Sequence, residues 1–454
     1  LQTKDPMTSS PRQAAYLTLL RIEKERSYAD ILIDQELQRG ELTGPDRGLY
    51  TELVYGTLRK QGTLDHFIGQ FSNTPLGKME RSVILLLRLG LYQMFFLDRV
   101  PVSAAVNETV NLAKQYSSRS AGFINAVLRS ADRGREKIIY PDPDKEPAVW
   151  LAVKHSHPLW IVDGWLAQLG FDEASELASA MSAPPPFTIR ANRLKNDRDS
   201  LLKRLKAEGV TAVPCSHAPD GLTITSSISL SNLQSFSEGL FSVQDEASQL
   251  AALLLTPQPG DAILDLCAAP GGKATYLAEL TGDNCTLIAC DRNPRKLALI
   301  REVVERLGIK NITVTLLDAT KPLEKLDKGL FDRILVDAPC SGLGVIHRNP
   351  EGKWWKEPSD PMRLAITQRA ILANAAVRLK PGGVMVYSTC STSLEENEQV
   401  VDNFLKQHRD FMIDPVSSVL PQMQEMQTEQ GFFRSWLHRD GMDGFFAARL
   451  IRKQ

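Results

Sequence analysis

Leu264-Asp-Leu-Cys-Ala-Ala-Pro-Gly-Gly-Lys273 is the stretch that decides the fold. It begins inside Ala262-Ile-Leu-Asp-Leu266, a short continuous apolar run of the kind that forms a buried strand, and it leads into a helical pattern over 274–280. Two glycines at the tip of a strand-to-helix turn let the backbone approach a ligand closely, and the helix N-terminus behind them supplies amide donors. The spacing is neither the G-x-G-x-x-G of dinucleotide sites nor the G-x-x-x-x-G-K-[ST] of a phosphate-binding loop. Working outward, 286–290 reads as strand, 294–307 as helix, and 312–317, 331–336 and 383–387 as further strands. Strands alternating with helices predict a parallel sheet with crossovers, a doubly wound fold.

The predicted strand ends carry the chemistry. The second strand ends in Asp291, 20 residues past Gly271, where a doubly wound fold holds ribose hydroxyls. The third runs into Leu317-Asp318. Each aspartate taken alone is as well explained as a helix cap or a loop carboxylate. Successive strand ends finishing in such residues point to a nucleoside lying across this edge. Val336-Asp-Ala-Pro-Cys340 and Met385-Val-Tyr-Ser-Thr-Cys390 each end in cysteine on the same edge. Free cysteine is usually a small buried hydrophobe, the reading given to Cys215, Cys285 and Cys290. Cys340 and Cys390, in polar strand-end loops, read as chemical.

The remainder of the chain frames this domain. With 454 residues, 43% apolar and 24% charged, it is an ordinary globular protein, long enough for about three domains. Residues 11–135 read as amphipathic helices separated by breakers such as Gly44-Pro45 and Asn73-Thr-Pro75, hence a helical bundle over 1–140. Tyr140-Pro-Asp-Pro-Asp-Lys-Glu-Pro147 is a linker, because three prolines cannot continue a helix. Residues 148–235 read as a small α+β segment, and 236–454 as the α/β domain. The apolar run 83–96 is too short to span a bilayer and is broken by Arg88, so no membrane partner is expected. The opening residues show no apolar export signal, and six cysteines without a Cys-x-x-Cys suit a cytoplasmic protein with reduced thiols. No cysteine or histidine spacing suggests a metal site. Residues 1–140 hold 19 basic and 15 acidic side chains, +4 within a chain of net charge −1, which is weak support for a nucleic-acid partner.

Asp265-Leu-Cys-Ala-Ala-Pro-Gly-Gly-Lys273, Asp337-Ala-Pro-Cys340 and Ser388-Thr-Cys390, with Val243-Gln-Asp-Glu-Ala-Ser248 before them and Asp443-Gly-Phe-Phe446 after, together resemble the NOL1/NOP2/Sun family of S-adenosylmethionine-dependent RNA cytosine-C5 methyltransferases. The resemblance covers about 236–451. With a helical segment that looks like a NusB-type RNA-binding domain, it is similar to the bacterial Sun/Fmu (RsmB) branch acting on 16S rRNA. The implied architecture is multidomain: an all-α NusB-like bundle, a small α+β (RRM-like) middle segment and an α/β Rossmann-like methyltransferase domain. The resemblance implies that Cys267, Ala268, Ala269, Pro270, Gly271, Gly272 and Lys273 hold the methionine side of the cofactor. It places Asp291 on the ribose, Asp318 near the adenine and Asp337 between cofactor and base. It makes Cys390 the nucleophile and Cys340 the group that assists enzyme release, with S-adenosyl-L-homocysteine as the product. The expected assembly is a monomer bound to 16S ribosomal RNA.

The chemistry asks for these residue types. Cytosine C5 is a poor nucleophile until a thiolate adds at C6. A proton must then leave C5 and the thiol must be eliminated. A thiol of pKa about 8.5 is a few per cent ionised at pH 7, so a nearby Lys273 would help. Residue types alone leave open which cysteine attacks. Arg190 and Arg193, and Arg348, Lys353 and Trp354, combine cations with an aromatic and are expected to face RNA. A nucleotide-dependent oxidoreductase on the same fold has the wrong glycine spacing and leaves both cysteines unexplained. A non-catalytic RNA scaffold would make Cys390 dispensable.

Overall fold

The computed structural model describes residues 10–454 apart from 227–229, 325 and 327–328, and without the side chain of 231. It divides into two compact units, Leu1–Pro184 with Ile346–Lys356, and Pro185–Val345 with Glu357–Gln454.

The first unit is helical. α1 (Pro11–Glu25) starts on Ser10, whose hydroxyl accepts the Gln13 N–H at 3.2 Å. α2 (Ala29–Gln38), α3 (Pro45–Arg59), α4 (Gln61–Phe71), α5 (Arg81–Phe96), α6 (Val102–Tyr116) and α7 (Ala121–Arg133) follow. α5 is apolar nearly all round and is therefore the central helix, with Leu86, Leu87, Leu89 and Leu91 fully buried. Its one central charge, Arg88, makes two 2.7 Å hydrogen bonds to the Asp65 carboxylate on α4. Among the described residues no helix is long and apolar enough to cross a membrane. The proline-rich stretch is non-helical, and its last proline opens α8 (Pro147–His155). α8 and α9 (Leu159–Ala180), which the sequence reading placed in the middle segment, cluster with the helical unit.

Ile346–Lys356 also belongs to this unit. The N-cap of α2, Tyr28, offers no side-chain acceptor, and Glu351 Oε1 instead accepts the Ala29 N–H at 2.9 Å. The ring of Trp355 sits 5.8 Å from that of Tyr28, and Trp354 packs directly on the backbone of Gly62.

The second unit holds two sheets. The smaller is antiparallel, ordered β2-β3-β1-β4: β1 (Phe187–Ala191), β2 (Ala212–Pro214), β3 (Gly221–Ile224) and β4 (Phe241–Val243), with α10 (Arg198–Ala207) and the short α11 (Gln234–Ser237). After α12 (Glu246–Leu253), the larger sheet runs through β5 (Ala262–Leu266), α13 (Gly272–Leu280), β6 (Thr286–Asp291), α14 (Pro294–Leu307), β7 (Ile312–Leu316), β8 (Phe331–Asp337), α15 (Asp360–Ala376), β9 (Leu379–Thr389), α16 (Glu398–Gln407), β10 (Phe411–Ile413), β11 (Phe433–Ser435) and β12 (Phe445–Arg452). Its order is β10-β12-β9-β8-β5-β6-β7, with β11 on β12. The five strands β5 to β9 are parallel, and strand order reverses at β5, the switch point where such sheets bind ligands. The sheet is mixed rather than wholly parallel, because β12 inserts antiparallel beside β9.

Candidate active site at the carboxyl edge of the mixed sheet

β5 breaks into its loop because Cys267 and Gly271 both take positive φ, 64° and 108°. At Gly271 a side chain would be strained by that φ and would also meet Ile300 of α14 at 3.3 Å. The loop is braced from β6, where Cys290 O accepts the Ala268 N–H at 2.8 Å, and Gly271 N–H donates back to Ala268 O at 2.8 Å. Pro270 is exposed at the tip, and Gly272 opens α13.

One pocket is lined by Cys267, Ala269, Asp291, Asp318, Asp337, Cys340 and Cys390, so the sequence-predicted strand ends do converge. Asp291 is 8% exposed and accepts the Asn293 N–H at 2.8 Å. The hydroxyl and backbone N–H of Thr320 both donate to Asp318, holding its carboxyl below the usual range. Asp337 is shared: Lys273 Nζ donates to Oδ2 at 2.8 Å and Ser388 Oγ to Oδ1 at 3.0 Å. Burial alone would lower the Lys273 pKa, but Asp337, then Cys390 and Asp265, raise it, so the ammonium stays charged. It also stands 5.0 Å over the Phe445 ring. Lys273 is therefore the anchor of Asp337 within electrostatic range of Cys390.

The sulfurs of Cys340 and Cys390 are 3.3 Å apart. The hydrogen bond to Cys390 raises the Cys340 pKa most, followed by burial and by the charges of Cys390 and Glu396, so Cys340 holds its proton. Cys215, Cys285 and Cys290 are buried, as small hydrophobes. Among the described residues no group of three His, Cys, Asp or Glu could hold a metal.

Asp265, on β5 beneath the loop, has no exposure and neither carboxylate oxygen has a hydrogen-bond partner. Burial, then Asp337, push its pKa well above the ordinary value. An orphaned carboxyl under a glycine turn, with a second carboxylate at the end of β6, fits a nucleoside ligand that carries an ammonium group. The sequence reading includes Asp265 in its motif but gives it no role, because an aspartate inside an apolar strand gives no sign of what it faces.

The expected RNA-facing residues divide. Arg190 is fully buried: it pairs with Glu279 at 2.6 Å, donates to Gly272 O at 2.8 Å and to Gln244, and stacks 4.4 Å from the Tyr276 ring. It has no face left for a phosphate, and it braces the start of α13 instead. Lys353 is 1% exposed, and burial, with Lys60 and Arg59 nearby, lowers its pKa to about 7; it too is withdrawn from an RNA role. Arg193 keeps 45% of its side chain exposed while pairing with Asp220 at 3.1 Å. Arg348 is partly exposed, and Trp354 is partly exposed but packed on Gly62.

Comparison with known proteins agrees with this arrangement. Residues 252–451 match a family described as 16S rRNA methyltransferase RsmB/F, 9–133 match the NusB family, and 157–231 match the ferredoxin-like domain of RsmF/B-like methyltransferases. The probable ribosomal RNA small subunit methyltransferase B of Bacillus subtilis is 38% identical over 447 residues, 98% of this chain and 99% of the relative. The crystal structure of PH0851 superposes with a TM-score of 0.82 at 27% identity, covering 100% of both chains. That of NSun6 from Pyrococcus horikoshii with SFG gives 0.58 at 25% identity over 65% of this chain and 98% of the other. This chain thus matches a NusB domain, a ferredoxin-like domain and a methyltransferase domain in order, with a relative 38% identical over its full length, and it belongs to the RsmB/F family of 16S rRNA methyltransferases.

Proposed function

We propose that the protein transfers a methyl group from S-adenosyl-L-methionine to C5 of a cytosine in 16S rRNA through a covalent cysteine adduct, acting as a monomer in the cytoplasm. The observation that carries this reading is the pair of thiols 3.3 Å apart at the carboxyl edge of β8 and β9, opening on the same pocket as Asp291 and Asp318. The cofactor side rests on that pocket and on a structural relative solved with SFG, an analogue of S-adenosylmethionine.

When bound, the cofactor supplies an electrophilic methyl group. Asp291 accepts from the ribose hydroxyls, Asp318 lies near the adenine, and 267–273 encloses the methionine end, with Asp265 below it. Cys390 adds to C6 of the base as thiolate, with charged Lys273 in electrostatic range. Asp337, held by Lys273 and Ser388, faces the N3/N4 edge of the base. Cys340, protonated at rest, serves the elimination: as the C6–Sγ bond breaks it gives its proton to the leaving Cys390 sulfur, and its own sulfur then takes up the C5 proton, so that the base regains its C5=C6 bond and both thiols are restored. The target base leaves its stack at a cost of about a few kcal/mol, least in a loop or single strand. The helical domain over 1–140, with Arg193 and Arg348, holds the RNA.

Bisulfite mapping of 16S rRNA from cells with and without the protein tests this. One cytosine should lose its C5 methyl group in the absence of the protein. An unchanged 5-methylcytosine map would reject the reading.

A further inference from the structure

Glu396 lies six residues beyond Cys390, just before α16, and has no exposed surface. A buried carboxylate is destabilising unless donors surround it. Here they do. Oε1 accepts from the Ser341 N–H at 2.8 Å and from Gln368 Nε2 at 3.0 Å. Oε2 accepts from Ser391 Oγ at 2.6 Å and from Ser341 Oγ. Ser341 follows Cys340 and Ser391 follows Cys390, so one carboxylate grips the residue after each thiol.

The residues before the thiols are tied into the same set. Gln368 also donates to Pro339 O at 3.0 Å, and Pro339 precedes Cys340. Asn397, beside Glu396, accepts from Thr389 Oγ1 at 2.5 Å and donates to Ser391 O at 2.9 Å, fixing both flanks of Cys390. None of the side chains that make these hydrogen bonds lines the pocket, although Pro339 does. The effect of the set on the site is geometric: the two sulfurs sit on loops that one buried group holds together.

We infer that Glu396 is a positioning residue, whose carboxylate sets the spacing of Cys340 and Cys390 on which two-thiol methyl transfer depends. This rests on the covalent reading above. Glutamine at this position can make the same contacts, because its carbonyl replaces Oε1 and its amide donates to two serine hydroxyls that turn to accept. Alanine removes all four.

The test compares Glu396→Gln with Glu396→Ala in the full chain. Both should bind S-adenosylhomocysteine as the parent does. Glu396→Gln should keep kcat within about tenfold, while Glu396→Ala should lose on the order of 100-fold in kcat, with KM for S-adenosylmethionine unchanged. Phenylarsine oxide, which bridges two neighbouring thiols with loss of water, reads the sulfur spacing without RNA. It should link Cys340 to Cys390 in the parent and in Glu396→Gln, and bind about tenfold more weakly or worse to Glu396→Ala. If Glu396→Ala does not fold, Ser341→Ala carries the same comparison, since it keeps the carboxylate bonded to Ser391 and Gln368. A folded Glu396→Ala or Ser341→Ala that takes up the arsenical and methylates like the parent overturns the inference. Weakened bridging in a protein whose Cys390→Ala form still methylates would keep the positioning role and reject the covalent reading instead.

Discussion

The Cys340 and Cys390 sulfurs stand 3.3 Å apart although 50 residues separate them in the chain. The pairing of β8 with β9 explains this. In that parallel register Asp337 lies opposite Ser388, so the chain reaches Cys340 three residues later on one strand and Cys390 two residues later on the next. The Gly344 N–H then donates to Cys390 O at 3.0 Å and closes one loop on the other. Neighbouring strand ends thus give one site two thiols, which suits a reaction that must both add sulfur to a base and remove it.

Asp291 should dominate ribose recognition. Asp291→Ala is expected to weaken S-adenosylmethionine binding by about 1.5–3 kcal/mol, tenfold or more, because charge-assisted hydrogen bonds are lost. Calorimetric titration measures it directly, and an unchanged affinity would remove Asp291 from the ribose.

Arg190→Met should act on stability and not on RNA. It leaves Glu279 buried without its cation, a change that typically destabilises by about 3–5 kcal/mol. Urea denaturation should show that loss, while the folded fraction keeps the parent's RNA affinity. Parent-like stability with weakened RNA binding would return Arg190 to the phosphate role that its sequence context suggested.

Lys353 gives a pH signature. Its folded pKa of about 7 lies below the ordinary lysine value of 10.5, so across that window the unfolded chain binds the extra proton. Stability therefore rises with pH between the two values, by about 1.4 kcal/mol per unit from this group. Lys353→Met removes the buried ammonium. It should be more stable than the parent at pH 7, and the gap should close as pH rises toward 10. Thermal melts of both proteins across that range check it, and a gap independent of pH would contradict the buried-cation assignment.

Much of the site was legible because strand ends in an alternating α/β pattern have one geometry: Asp291, Asp318, Asp337, Cys340 and Cys390 were placed on one edge by strand position alone, and they line one pocket. What escaped depends on partners distant in sequence. Arg190 reads as a free cation until Glu279, 89 residues on, is seen to hold it. Glu396 sits in the polar run Glu395-Glu396-Asn397-Glu398, to which the sequence reading gave no role, and only the fold shows that the second of these is buried. β12 was missed because Arg449 and Arg452 interrupt the apolar residues of Phe445–Arg452, and its antiparallel place beside β9 is a tertiary fact.

Gly344 is a second place where the thiol loops can be disturbed. A Cβ there would lie 1.9 Å from the Gly444 carbonyl oxygen, backbone that cannot step aside without moving β12. Gly344→Ala should retain cofactor binding and lower methyl transfer on the order of 100-fold by shifting the Cys340 loop. Full activity in this variant would show that the loop tolerates displacement.

The central claim is that Cys390 adds to the base and Cys340 releases it. Cys390→Ala and Cys340→Ala, each incubated with target RNA and S-adenosylmethionine, should differ on a denaturing gel. Losing the first step prevents the adduct, and losing the last step traps it. Cys340→Ala should therefore accumulate a protein–RNA complex that survives denaturation, and Cys390→Ala should form none. A trapped complex with Cys390→Ala alone would reverse the roles, and methylation by both variants without any adduct would contradict covalent catalysis.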